Sequence, residues 1–259
     1  MTLAAYSFVG DFDPAGPRSL CVDRHYLLAA SRGVLRLEVD GTAWSLPPAR
    51  AALIRAGVPI EITIPQRVTT ASVLFDPEFV PPPPKPLTVI DLTPLARSLV
   101  LECTRWGEDA GPLDDYALTM FRALAAATWT LAQHPSPAHM PTGRSSEVRR
   151  ALAITADRLA DHPRQGDIAN AVGLTSRSLA RRFEHELGMT WSAALRRLRV
   201  LRAIEELAGT DNSVTRIAMD VGYSSLSAFQ VAFRDLIGQS PSDYRAGFAA
   251  GGPSPRPQG

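Results

Sequence analysis

Ile168-Ala-Asn-Ala-Val-Gly173 recurs 49 residues further on as Ile217-Ala-Met-Asp-Val-Gly222. The residues downstream of each copy also repeat. Leu179, Phe183 and Gly188-Met-Thr190 come after the first glycine, and Phe229, Phe233 and Gly238-Gln-Ser240 after the second. The second copy carries one extra residue between its turn and its helix. Spacing kept over so many positions is a poor match to chance, and each copy fits a helix-turn-helix. Ile168 and Val172 share an apolar face at i, i+4, and Ala169 is small enough for two helices to approach. Gly173 and Gly222 are the turn glycines, able to take the left-handed backbone that a side chain disfavours. Thr175 or Ser176 can then cap the next helix. On that helix Leu179, Phe183 and Leu187 point inward, while Arg177, Ser178, Arg181, Arg182 and His185 form the outward set. The second helix offers Ser224, Ser225, Ser227 and Gln230 around Phe229 and Phe233. Between the motifs a helix from about Trp191 to Leu207 holds Arg196, Arg197, Arg199 and Arg202, a basic face suited to phosphates. Its length, ~25 Å, could set two recognition helices near one duplex turn apart, ~34 Å.

Outward from this repeat, charge is uneven. Residues 1–143 carry 11 basic against 14 acidic side chains, and residues 144–259 carry 16 against 12. A net charge of +1 thus hides a mildly acidic front and a basic back, which points only the back toward a polyanion. With 259 residues the chain has room for roughly two domains of about 150 residues. Apolar residues at 45% are enough for real cores and exclude extended disorder as the general state. No apolar run approaches the ~20 residues of a membrane helix. MTLAAYSFVGDFDP shows no basic start before an apolar stretch, so no secretory signal is apparent. Cys21 and Cys103 form no metal spacing and read as two small buried hydrophobes in a reducing cytoplasm.

The front reads as short strands: 25–30, 34–39, 44–46, 51–56, 60–64 and 68–75, with a hairpin signal at Asp40-Gly41. Such spacing suggests a small antiparallel barrel or sandwich. PPPPKP (81–86) should be a stiff extended spacer. Two helices come next. Thr93 caps the first, with Pro94 at its first position and Leu95, Leu99, Cys103 and Trp106 along one face. The second starts near Asp114-Asp115 and carries Tyr116, Met120, Leu124, Thr128 and Leu131, broadened by Ala117 and Phe121. Leu99, Trp106, Phe121 and Leu124 would pair two subunits if the barrel left them uncovered. Residues 134–146 read as a polar, proline-rich linker, and GGPSPRPQG as a disordered tail.

Residues from about 150 to 248 resemble the DNA-binding domain of the AraC/XylS family of bacterial transcription regulators. DIANAVGLTSRSLARRFEHELGMT, VTRIAMDVGYSSLSAFQVAFRDLIGQSPSDYR and the Arg-rich helix between them carry the resemblance. It implies a seven-helix reader of double-stranded DNA, with Arg181 at a common base-contacting position and Arg177 at another. Val231 stands where the second motif would have its equivalent of Arg181, a departure that leaves that base contact without its residue in the second motif; Val231 either packs inside its motif or faces outward. The front resembles the cupin-like sensing and dimerisation domain of such regulators, carried by Trp44 to Pro59. Ile60 stands where relatives often have His, and His25 is alone, so the ligand count for a metal centre is not met.

The resulting expectation is an α+β chain. Residues 1–134 form a cupin-like domain with two helices, 135–146 a linker, 147–248 the double helix-turn-helix, and 249–259 a tail. It binds rather than catalyses and needs no cofactor. Homodimerisation, a small-molecule effector and RNA polymerase are the further partners such a regulator calls for. The rival readings are a cupin-type enzyme with a DNA-binding appendage and a regulator controlled by a protein partner. Effector, operator and direction of regulation are not readable.

Overall fold

A computed structural model describes residues 3–39 and 41–249, with side chains up to Ala246. Asp40 and nearly all of the expected tail lie outside the described residues. The chain divides into two compact units. Among the described residues, one comprises 3–37, 46–136 and 243–249; the other comprises 38–39, 41–45 and 137–242.

The first unit is built on a fully antiparallel sheet. Its strands, β1 (Ala5–Phe12), β3 (His25–Arg32), β6 (Arg50–Ile54), β8 (Val68–Phe75) and β9 (Leu87–Asp91), run in the order β1-β8-β3-β6-β9. β3 sits centrally, with Tyr26 opposite Leu74 on one side and Ile54 on the other. A central strand is covered on both faces, and six consecutive residues from His25 to Ala30 are buried accordingly. β2 (Ala15–Leu20) pairs with β7 (Ile60–Ile64) in a second layer, next to β4 (Leu35–Val39). Gly41, at φ +73°, turns the chain into β5 (Thr42–Leu46), where the hairpin signal stands. The expected strands are all present. β1, β2 and β9 lie outside the expected set: β1 is interrupted by Gly10 and Asp11, and β2 is mostly exposed and contains Gly16 and Pro17, so the alternation that marks a half-buried strand is diluted.

Helices α1 (Pro94–Cys103) and α2 (Asp115–Leu131) cover one face of this sheet. Thr93 accepts a hydrogen bond from the Ala96 N–H, and Asp114 one from the Ala117 N–H, so both starts are capped as expected. The inward stripe of α1 is shifted, however: Ala96, Val100 and Cys103 are buried, whereas Leu95 is 64% exposed. Ala96 lets the helix approach the sheet closely, and the i, i+4, i+7 row through it becomes the buried one. Phe121 and Leu124 are fully buried, with Leu99 and Trp106 packed against the same core. Phe75 meets the Phe121 ring edge-on at 6.4 Å and the Trp129 ring at 5.6 Å. The core therefore takes up Phe121 and Leu124 fully, and Leu99 and Trp106 in part.

Two further expectations change. Cys103 is buried and its thiol is pushed up to about 12 by desolvation, but Cys21 is exposed. The proline run joins β8 to β9 within one unit and is tied down: the Trp129 indole N–H donates to Pro81 O, and Arg55 donates to Pro83 O and Pro86 O. His25 is buried, and its Nδ1 accepts from the Ala56 N–H, a structural use. Arg50, in an otherwise apolar strand, is fully buried and donates from Nε to Asp91 Oδ1 at 2.8 Å.

In the second unit, β10 (His139–Pro141) pairs with β5, His139 opposite Trp44. The stretch expected as plain linker thus contains a strand. From there the chain is helical: α3 (Ser146–Asp157), a 3₁₀ turn (Leu159–Asp161), α4 (Gln165–Ala171), α5 (Ser176–Leu187), α6 (Trp191–Gly209), α7 (Val214–Asp220), α8 (Leu226–Ile237) and α9 (Pro241–Ala249). No helix among the described residues is long and apolar enough to cross a membrane.

Candidate nucleic-acid interface

The repeat in sequence is a repeat in hydrogen bonding. Leu174 N–H donates to Ala169 O at 2.9 Å, and 49 residues later Tyr223 N–H donates to Ala218 O at 2.9 Å. Gly173 and Gly222 take φ +73° and +89° between these bonds, so each motif turns in the same way. Ile168 and Ala169 from α4 meet Leu179, Phe183 and Leu187 from α5, all buried. Ile217 and Ala218 meet Phe229 and Phe233 likewise, with the two phenyl rings 5.7 Å apart. Burying one face of α5 and α8 dictates which residues the other face can offer.

On α5, Thr175 is the cap and accepts from the Ser178 N–H. Arg177, Arg181 and His185 are exposed, at i, i+4 and i+8, and form one stripe. Neither Arg177 nor Arg181 makes an ion pair among the described residues, so both forks are open to a ligand. The other two expected contacts are partly occupied. Ser178 is half-buried and its hydroxyl accepts from Thr175 at 3.0 Å. Arg182 reaches Glu147 on α3 at 3.3 Å. Next to it Glu186 accepts from the Ser145 N–H at 2.8 Å and from its hydroxyl at 2.7 Å. Desolvation raises the Glu186 carboxyl, but these bonds and Arg182 outweigh it and hold the group below its ordinary range. The inner flank of α5 therefore anchors the start of α3.

On α8, Ser225 is the cap, accepting from the Ala228 N–H, and its hydroxyl lies 3.4 Å from that of Ser227. Ser227 is exposed and Gln230 half-buried. Val231 is 57% exposed, so it faces outward rather than packing inside its motif. Together with Asp235, one turn on and also exposed, the outer stripe of α8 carries no cation at the positions that hold Arg177, Arg181 and His185 on α5.

The basic helix α6 differs most from expectation. Only Arg196 of its four arginines is outside any ion pair or hydrogen bond among the described residues. Arg197 donates from Nη2 to Pro137 O at 2.7 Å and from Nε to His139 O, holding β10. Arg199 donates to Leu159 O at 3.2 Å. Arg202 pairs with Glu205 and Glu206 at 3.1 and 2.9 Å. Burial lowers the proton affinity of both Arg197 and Arg199. Arginines at helical spacing announce a charged face, but carbonyl partners far away in sequence leave no mark beside them. A helix of 19 residues at 1.5 Å each extends about 28 Å. Trp191 begins it, donating from Nε1 to the buried Thr155 hydroxyl on α3 at 3.2 Å.

Residues 168–247 match a helix-turn-helix domain family. Among curated proteins, the chain is similar to the HTH-type transcriptional regulator NimR of Escherichia coli strain K12. The identity is 25% over 222 residues, covering 85% of this chain and 79% of NimR. It is 33% identical over 103 residues to the HTH-type transcriptional activator RhaS of Escherichia coli O157:H7, covering 40% of this chain and 37% of RhaS. A solved structure of a transcriptional regulator with an AraC-type DNA-binding domain from Chromobacterium violaceum is similar at 29% identity. It covers 41% of this chain and 95% of that chain, with a TM-score of 0.39.

Proposed function

We propose, from the premise that the chain belongs to the AraC/XylS family of transcription regulators, that Arg177 and Arg181 read base edges in one major groove. The observation that carries this reading is the stripe on α5: two arginines, exposed and outside any ion pair among the described residues, held by a capped helix in a motif that occurs twice. An arginine fork matches guanine O6 and N7. Ser227 on α8 supplies a hydroxyl contact with little base discrimination, and the Gln230 amide is half-buried where the two α5 forks are exposed. His185 and Arg196 are the phosphate contacts we assign, since they lie on the same helical unit with no ion pair of their own. The protein acts by binding and not by catalysis, in the cytoplasm. Residues 147–248 carry DNA binding, and residues 1–134 sense a small molecule or join two copies. With Phe121 and Leu124 in the core, Leu95, Leu101 and Tyr116 are the exposed apolar residues that α1 and α2 retain for such a contact.

Binding of the intact chain to duplex DNA tests this reading. Affinity should fall linearly in log–log form with salt, with a slope near about −0.9 for each phosphate neutralised. Salt-independent binding, or none in low salt, would remove the assignment.

A further inference from the structure

The two turn glycines have the same backbone conformation but different surroundings. A Cβ added to Gly173 would have no heavy atom within 4 Å of it apart from its own neighbours. A Cβ added to Gly222 would lie 2.0 Å from Leu159 O and 2.8 Å from Arg199 Nη2. Leu159 begins the 3₁₀ turn that leads from α3 into the first motif, while Gly222 is the turn of the second. Arg199 lies on α6, the helix between them. Its Nη2 donates to the same Leu159 carbonyl at 3.2 Å, and its guanidinium sits over the Tyr223 ring, 5.5 Å from the centroid. The entry to motif one, the connecting helix and two consecutive residues of the turn of motif two all meet here.

We infer that Gly222 and Arg199 are positioning residues that lock the second helix-turn-helix onto the first and so set the spacing between the two DNA tracts the protein covers. The missing side chain at 222 admits the Leu159 carbonyl, and Arg199 ties that carbonyl down while stacking on Tyr223. α6 alone fixes only a distance. A contact from the segment that leads into the first motif directly to the turn of the second adds a fixed rotation about that helix, which decides whether both recognition helices face one side of a duplex. Arg199 thereby leaves the set of phosphate contacts.

This inference rests on the proposed DNA reading, and the test separates the two. The intact chain is footprinted with hydroxyl radicals on a duplex selected for binding. Wild type should protect two tracts, the second at one fixed separation of ~34 Å from the first. Gly222→Ala should keep the first tract, lose or blur the second, and bind roughly tenfold more weakly, the change that about 1.4 kcal/mol produces. Gly173→Ala, which strains its turn without a clash, should keep both tracts at the wild-type separation. Arg199→Met keeps the aliphatic stem and guards against a Gly222 variant that does not fold. It should also blur the second tract, with the salt slope unchanged. A slope smaller by about one with both tracts sharp would make Arg199 a phosphate contact and overturn its role. Wild-type footprints in both Gly222→Ala and Arg199→Met would overturn the inference. Absence of any footprint with wild type would instead remove the DNA reading beneath it.

Discussion

Arg181→Ala is expected to weaken binding to the selected duplex by about 1–3 kcal/mol and to relax preference at one position of one half-site. The size comes from what the side chain offers. Arg181 is exposed on the middle of α5, its guanidinium outside any ion pair among the described residues, and a bidentate pair with guanine gives discrimination of that order. Val231, its counterpart on α8, is 57% exposed and holds no donor. Valine can at most touch a thymine methyl, so Val231→Ala should change affinity by less than Arg181→Ala and leave the preferred sequence nearly as it was. Fluorescence anisotropy on the selected duplex and on single-base variants reads both effects. Equal losses in the two variants would show that α8 reads bases as α5 does.

The second large effect is on folding. Phe183→Ala should lower the stability of the helical unit by about 3–5 kcal/mol, the usual cost of truncating a buried phenyl ring. Phe183 is fully buried and lies in the core that α4 and α5 share, two residues after Arg181. The same helix thus has one face whose loss unfolds it and another whose loss only weakens binding. Urea unfolding can be followed through Trp191 alone, after Trp44, Trp106 and Trp129 are changed to Phe. The midpoint should fall in Phe183→Ala, whereas Arg181→Ala should stay within about 0.5 kcal/mol of the parent, as exposed substitutions do. A loss below about 1 kcal/mol for Phe183→Ala would contradict its place in the core.

These two residues also mark what can be read from a sequence. Periodic patterns and turn chemistry are local, so the glycines, the Thr175 and Ser225 caps and the inward rows Leu179–Phe183–Leu187 and Phe229–Phe233 are all legible. Arg177, Arg181 and His185 emerge as the stripe those rows leave over. Tertiary partners are not local. Arg197 and Arg199 look like phosphate contacts because nothing near them shows that Pro137, His139 and Leu159 supply carbonyls. Arg182 reads as an outward contact for the same reason, with Glu147 35 residues away on another helix. In the sheet unit the strong runs at 60–64 and 68–75 are plain, but β1 is not, since Gly10 and Asp11 interrupt it and its pairing with β8 is what makes it a strand. Burial of Arg50 is illegible too, because its partner Asp91 comes from β9, the strand beside it in the sheet but far along the chain.

Selection of the intact chain on randomised duplexes tests the central claim most directly. One sharp half-site containing guanine should emerge, contacted by α5, with a degenerate half-site about one helical turn, ~34 Å, away for α8. Two equally sharp half-sites, or no enriched sequence at all, would contradict it.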